Sequence, residues 1–202
     1  MSLRLFIAIR PPEDVRRGIG EIVRGIQDAL GEPAARAVKW VPDANVHVTV
    51  KFLGEVEEPL VARIEQALKG VAARHRPFEV RLGGVGCFPN PRRPNVLWVG
   101  TKEGVEPMAR LAEDVERALE PLGFEPEGRR FRAHFTIGRV RRDARIDGLG
   151  AALVSQEPAA DRLGAFTAGE LALMKSELRP TGPVYTRLSG PALGTAPGDV
   201  LA

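Results

Sequence analysis

A tetrapeptide pattern recurs in this chain, first as His47-Val48-Thr49-Val50 and again as His134-Phe135-Thr136-Ile137. Polar and apolar residues alternate in both copies, which is the period of an extended strand, so His and Thr share one face and the two apolar side chains take the other. Each strand then has a polar, reactive face and a core face. The chain holds 3 histidines in 202 residues. From its composition, two of the three open this pattern by chance about once in 10⁴, a figure to be discounted roughly ten- to a hundredfold because the pattern was chosen once seen. A lone histidine on such a strand is most often a hydrogen-bonded structural residue. A repeated one favours a duplicated functional element.

The elements around the two copies repeat as well. Leu3 to Arg10 predicts an opening strand ended by Pro11-Pro12. Glu13 and Asp14 then stand where a helix start favours acids, before Val15, Ile19, Ile22, Val23, Ile26 and Leu30 recur at helical spacing. Trp40-Val41-Pro42 and Asp43-Ala44-Asn45 read as a turn into the first histidine strand, which stops at Gly54. A helix over about 59–74, a strand over 78–85, a loop over 89–94 and a strand over 96–100 follow. The second pass reads as a helix over 105–122, the histidine strand over 131–140, a weaker helix over 146–154, a strand over 166–176, a turn over 179–183 and a last strand over 184–188. Strand, helix, histidine strand, helix, strand thus appears twice. The expected fold is α+β and bilobal, with internally duplicated βαβαβ units and antiparallel sheets around a central cleft. One domain is expected over 1–190, with pseudo-twofold halves of about 1–93 and 94–190, and a flexible tail over 191–202. Such symmetry would bring the polar faces of the two histidine strands together across the cleft.

With 44% hydrophobic residues the chain can bury a substantial core. Its net charge is only +3, but the basic residues are mostly arginine, whose planar fork suits phosphate, and this leans toward an anionic partner. The one cysteine, Cys87, excludes an internal disulfide framework. The run Leu5-Phe6-Ile7-Ala8-Ile9 is too short for a signal segment and no stretch approaches membrane-spanning length, so a cytoplasmic protein is expected.

Two imidazoles opposed across a pocket can hold different protonation states near neutral pH and supply a general acid and a general base together. Thr49 and Thr136 are hydrogen-bond donors on the same faces, which fits the equatorial oxygens of a phosphodiester in in-line displacement. The ligand inventory argues against a catalytic metal, for there is no HExxH, no acidic cluster beside either histidine and no cysteine pair. No GxSxG motif supports a serine nucleophile either. A bell-shaped pH profile with two histidine-like limits is the kinetic expectation.

In the settings NVHVTVKFLGEV and FRAHFTIGRV, the paired motifs resemble the 2H phosphoesterase superfamily. The similarity is closest to its bacterial and archaeal branch of RNA 2′,3′-cyclic phosphodiesterases, also known as 2′-5′ RNA ligases. The opening RLFIAIRPP, the lead-in WVPDANVH and the closing LALMKSELRPTGPVY extend the resemblance over nearly all of 3–189. Ala133 departs from the proline that commonly precedes the second histidine. The resemblance implies metal- and cofactor-free opening of an RNA 2′,3′-cyclic phosphate to a 2′-phosphate, with 2′-5′ ligation as its reverse. It implies His47 as proton donor to the leaving 3′ oxygen, His134 as acceptor from water, and Thr49, Thr136 and Arg139 as phosphate ligands. RNA ends or cyclic nucleotides are then the partners, with no protein partner implied and a monomer expected.

Strict alternation puts Arg139 on the face opposite His134, unless Gly138 hosts a bulge that turns it back. Lys51 continues the face of His47 and Thr49 and is a candidate for phosphate. Phe52 occupies the place equivalent to Arg139 and is a candidate to stack on a base, although its parity assigns it to the core. Arg130 and Arg132 share the parity of His134 and are the preferred members of a basic rim that includes Arg92, Arg93, Arg129 and Arg141. Two other readings stay open: a binding module whose histidines only grip phosphate, and a 2H esterase for small cyclic or 2′-5′-linked nucleotides.

Overall fold

A computed structural model describes residues 1–142, 144–180 and 182–194. The chain begins with β1 (Ser2–Ile9), α1 (Glu13–Leu30), the single turn α2 (Glu32–Ala35) and the short strand β2 (Val38–Trp40). A 3₁₀ turn at Asp43–Asn45 leads into β3 (Val48–Glu57), followed by α3 (Glu58–Ala72), β4 (Phe78–Phe88), β5 (Val96–Glu103) and α4 (Val105–Leu119). The remainder is β6 (His134–Val140), α5 (Leu149–Asp161), β7 (Ala165–Ala168), β8 (Ala172–Arg179) and β9 (Gly182–Ser189).

The strands form two antiparallel sheets, one in the order β3-β1-β8-β9 and one in the order β2-β6-β5-β4-β7. This is the expected α+β architecture of duplicated units, with one histidine motif in each sheet. Neither sheet belongs to one half of the sequence. In each, the histidine strand pairs with the opening strand of its own half (β3 with β1, β6 with β5), and that opening strand then pairs with the closing strand of the other half (β1 with β8, β5 with β4). The helices cross over in the same way, α1 packing on α5 and α3 on α4, with α5 lying over β4 and α4 over β3. Lobes that exchange strands and helices share one core, and β3 and β6 approach within 8 Å between Cα atoms at the join.

That core is built from the expected periodicities. Val15, Ile19, Ile22, Val23 and Ile26 of α1 and Met108, Leu111, Val115 and Leu119 of α4 are all buried. In β1, Leu5, Ile7 and Ile9 enter the main core, whereas Phe6 and Ala8 form a second apolar cluster with Ala172 and Met174 on the opposite face.

Several elements differ from the sequence expectation. The predicted strand over 166–176 is two strands, because the chain leaves the five-stranded sheet after Ala168 and enters the four-stranded sheet at Ala172. Trp40, expected to open the turn, instead ends an edge strand on β6 (Val38–Trp40), with the turn following at Asp43–Asn45, and α5 runs on to Asp161. The start of the expected flexible tail is anchored. Leu193 is buried, its N–H donates to the Gly169 carbonyl, and the N–H of Gly194 donates to the Ala72 carbonyl. The rest of that tail, 195–202, and Thr181 in the expected turn lie outside the described residues.

Candidate active site

Both histidines are held in the same way. His47 sits just ahead of β3 and hydrogen-bonds through Nδ1 to the Asn45 carbonyl at 2.7 Å, while His134 opens β6 and bonds through Nδ1 to the Arg132 carbonyl at 2.7 Å. A carbonyl oxygen only accepts, so Nδ1 carries the proton in each ring and Nε2 is left with the lone pair in the neutral form. Nε2 of His47 lies 3.1 Å from Thr49 Oγ1, within reach of a hydrogen bond whose direction follows the ring's protonation. Aromatic rings brace both imidazoles: Phe6 and Tyr185 at 4.8 and 5.4 Å from His47, and Phe88 at 5.2 Å from His134.

The strands also carry the same irregularity. Thr49 pairs with Ala8 and Lys51 with Ile7, which leaves Val50 without a partner on β1. In β6, Thr136 pairs with Trp98 and Gly138 with Leu97, which leaves Ile137 without a partner on β5. A bulge at the fourth position of each motif inverts the alternation beyond it. Arg139 is thereby returned to the face of His134 and Thr136, as a bulge at Gly138 would also have done, and lines the cleft; the unpaired residue is Ile137, and Gly138 keeps its partner Leu97. The equivalent bulge in β3 turns Phe52 into the cleft, where it is 55% exposed.

The same inversion corrects the expectation for Lys51. It faces away from His47, is only 2% exposed, pairs with Glu116 of α4 and donates to the Glu125 carbonyl at 2.8 Å. Lys51 is therefore a compensated core charge and does not line the cleft. Arg130 is exposed on the connection over 123–133 and does not line the cleft either, whereas Arg132 lies over the Phe88 ring at 5.5 Å.

The cleft itself has a volume of about 380 Å³. His47, Thr49, Thr136 and Arg139 lie on its lining, and Phe6, Phe52, Leu178 and Tyr185 form an apolar wall; His134 is not one of the lining residues and is tied to the site by Thr136 on its own strand and by the field of Arg139. Arg4 and Lys39 line it as well. Sequence reasoning missed these two and Tyr185, although Arg4 shares the parity of Phe6 in β1 and Tyr185 closes the motif LRPTGPVY. Trp40, read as packing, also lines the cleft and is anchored by its Nε1 donating to the Ala35 carbonyl at 3.0 Å. His75 stands apart, paired with Asp114 of α4 at 2.8 Å.

Burial is the main influence on both imidazoles. It pushes His47 down to about 4 against the opposing pull of the Asn45 carbonyl, with Arg10, Arg139 and His134 adding positive potential. His134 is lowered for the same reason, with Arg139 and Arg132 contributing. His47 thus senses the charge of His134 and both sense Arg139, so the two motifs act in one electrostatic site. At neutral pH the site holds two neutral imidazoles with one lone pair each, two hydroxyls and a guanidinium. This is a combination suited to an anion that must both take and give a proton. No cluster of three or more His, Cys, Asp or Glu among the described residues is arranged to hold a metal ion. No helix among them is long and apolar enough to cross a membrane.

Comparison with known proteins gives the same picture. The chain is 36% identical over 186 residues to the RNA 2′,3′-cyclic phosphodiesterase of Archaeoglobus fulgidus, covering 92% of this chain and 98% of that protein. It is also 36% identical over 186 residues to the protein of the same name from Methanothermobacter thermautotrophicus, covering 92% and 96%. Among solved structures, TT0787 of Thermus thermophilus superposes with a TM-score of 0.76 at 29% identity, covering 95% of this chain and 98% of that one. Escherichia coli LigT in complex with 3′-AMP shares the fold, with a TM-score of 0.69 at 24% identity over 96% and 100% of the chains. The family model for LigT-like phosphoesterases matches residues 9–98 and again 99–185, one match for each histidine motif, and this chain belongs to that family.

Proposed function

We propose that the protein hydrolyses RNA 2′,3′-cyclic phosphate ends to 2′-phosphates by general acid–base catalysis between His47 and His134. The observation that carries this reading is the duplicated geometry: two Nδ1-anchored imidazoles, each with a cleft-lining threonine on its own face, and both within the field of Arg139. The names of the relatives support the substrate class.

In this scheme water attacks the phosphorus opposite the 3′ oxygen. His134 Nε2 takes the proton from water as the new P–O bond forms, and His47 Nε2–H gives its proton to the 3′ oxygen as the old P–O bond breaks. His134 is assigned as the base because its Nε2 has no partner among the described residues, whereas that of His47 is within reach of Thr49 Oγ1. Thr49, Thr136 and Arg139 hold the non-bridging oxygens, the guanidinium stabilising charge that builds in the transition state. Phe52 offers the terminal base a stacking surface. Both lowered histidines need the substrate's negative charge, which counters the field of Arg10 and Arg139, before His47 becomes an effective acid. With the 5′-hydroxyl of a second RNA in the place of water, the same steps form a 2′-5′ linkage: its oxygen bonds to phosphorus, His134 takes its proton and the 3′ oxygen leaves with the proton from His47. One chain supplies every named group, so a monomer carries the complete site.

The test is to incubate an oligonucleotide ending in a 2′,3′-cyclic phosphate with the protein in excess chelator and to locate the phosphate in the product. A 2′-phosphate is expected. A 3′-phosphate would reverse the leaving group and the placement of His47, and no hydrolysis would overturn the assignment.

A further inference from the structure

Beyond the cleft, a second cluster of cations borders His47. Arg10 immediately follows β1, and since Ile9 pairs with Val48, the next antiparallel step sets Arg10 beside His47. Arg16, in the first turns of α1, is tied to the segment leading into His47 by Nη1 donating to the Ala44 carbonyl at 3.2 Å. Arg187 of β9 belongs to the same cluster, but it grips Glu170 with both arms, Nε to Oε1 at 2.8 Å and Nη2 to Oε2 at 2.5 Å. Glu170, the carboxylate that acts on Arg10, is thereby committed to Arg187.

Arg10 and Arg16 are left over. Neither has a carboxylate within 4.0 Å among the described residues, and Arg10 makes no side-chain hydrogen bond there. Its guanidinium is exposed, and partial burial with Arg16 close by pushes it below the ordinary arginine range. The Nε of Arg16 is shielded from solvent and has no hydrogen-bond partner. Two guanidinium groups that repel one another, one with an orphaned donor, make an environment an anion would complete. Neither lines the cleft.

We propose that Arg10 and Arg16 form a second anion subsite that takes the phosphodiester adjoining the reacting end of an RNA chain. The proposal rests on the reading that RNA ends occupy the cleft. With the cyclic phosphate between the histidines and the terminal base against Phe52, the chain must leave past the rim of the cleft, and this cluster offers guanidinium forks of the geometry phosphate prefers. The subsite would favour an oligonucleotide over a mononucleotide with the same end. It also explains why a cation is kept beside a histidine whose protonation it opposes.

The test is a binding titration, which needs no turnover. Affinities of a 2′-phosphate-ended trinucleotide and of the corresponding nucleoside 2′-phosphate are measured against salt for the parent, Arg10→Ala and Arg16→Ala. Loss of one charged hydrogen-bonding group should weaken trinucleotide binding by roughly 10- to 100-fold. It should also reduce the magnitude of the log–log salt slope by about 0.7, while mononucleotide binding falls by a much smaller factor. Equal losses on both ligands, or none on either, would overturn the subsite, as would a parent that does not prefer the trinucleotide. An Arg10-dependent preference in a parent that hydrolyses neither cyclic end would retain the subsite and reject the hydrolytic reading, so the two failures are distinguishable.

Discussion

His47 should make the protein acid-sensitive by an amount that can be worked out. Its imidazole titrates at about 4 in the folded state, lowered mainly by burial, against 6.5 for the unperturbed group. Between these values the unfolded chain binds a proton that the folded chain does not, so stability is complete above about pH 6.5 and is lost as pH falls through 4. The proton-binding polynomials of the two states give a loss of roughly 2 kcal/mol between pH 7 and pH 4.5, approaching roughly 3 kcal/mol at lower pH. The assay is urea unfolding of the parent and of His47→Asn at both pH values. Asparagine cannot take the proton, and contributions from carboxylates and most of that from His134, the smallest of the influences on His47, are shared and subtract out. The change in unfolding free energy from pH 7 to pH 4.5 should be larger in the parent by roughly 2 kcal/mol. An equal change in both proteins, or a larger one in the variant, would refute the claim that His47 is held neutral by its surroundings.

Lys51→Ala removes one partner of a buried pair and leaves Glu116 and the Glu125 carbonyl uncompensated, so it should destabilise by roughly 3–5 kcal/mol in thermal or urea unfolding. The same variant should keep the parent kcat/KM per folded molecule, because Lys51 does not line the cleft; a selective loss of activity would return it to the phosphate site. Gly138→Val puts a Cβ 2.6 Å from the Val38 side chain, which the edge strand or the bulge must relieve, so Arg139 should move and kcat/KM should fall by about 10- to 100-fold; wild-type kinetics would deny the bulge its role. With both histidines lowered, the bell of kcat/KM should centre on the acid side of 6.5 and that of kcat at higher pH, since the bound anion raises both groups; coincident profiles would contradict this.

The parts of the fold visible in the sequence are those set by local periodicity. The apolar stripe of α1, from Val15 to Ile26, and the alternation of His47 to Val50 translate directly into buried and cleft-facing sides. The exchange of closing strands was not visible, because whether β4 pairs with β5 or β8 with β1 is a choice between distant partners of similar composition. For the same reason, 166–176 reads as one strand although its two parts join different sheets. The cleft illustrates how much rests on one extra residue. A bulge expected at Gly138 and found one residue earlier, at Ile137, places Arg139, and the equivalent bulge at Val50, where no glycine follows to mark it, exchanges the positions of Lys51 and Phe52. Arg10 escaped notice because its significance lies in what it lacks, which only the three-dimensional arrangement reveals.

The central claim is that His47 and His134 move protons and do not merely grip phosphate. Turnover of a cyclic-ended oligonucleotide and binding of its 2′-phosphate product should be measured together for the parent, His47→Ala and His134→Ala. The account predicts that each substitution lowers kcat by about 10²- to 10⁴-fold while product affinity changes little. Full turnover in either variant, or loss of binding in variants of a parent that never turns over, would contradict it.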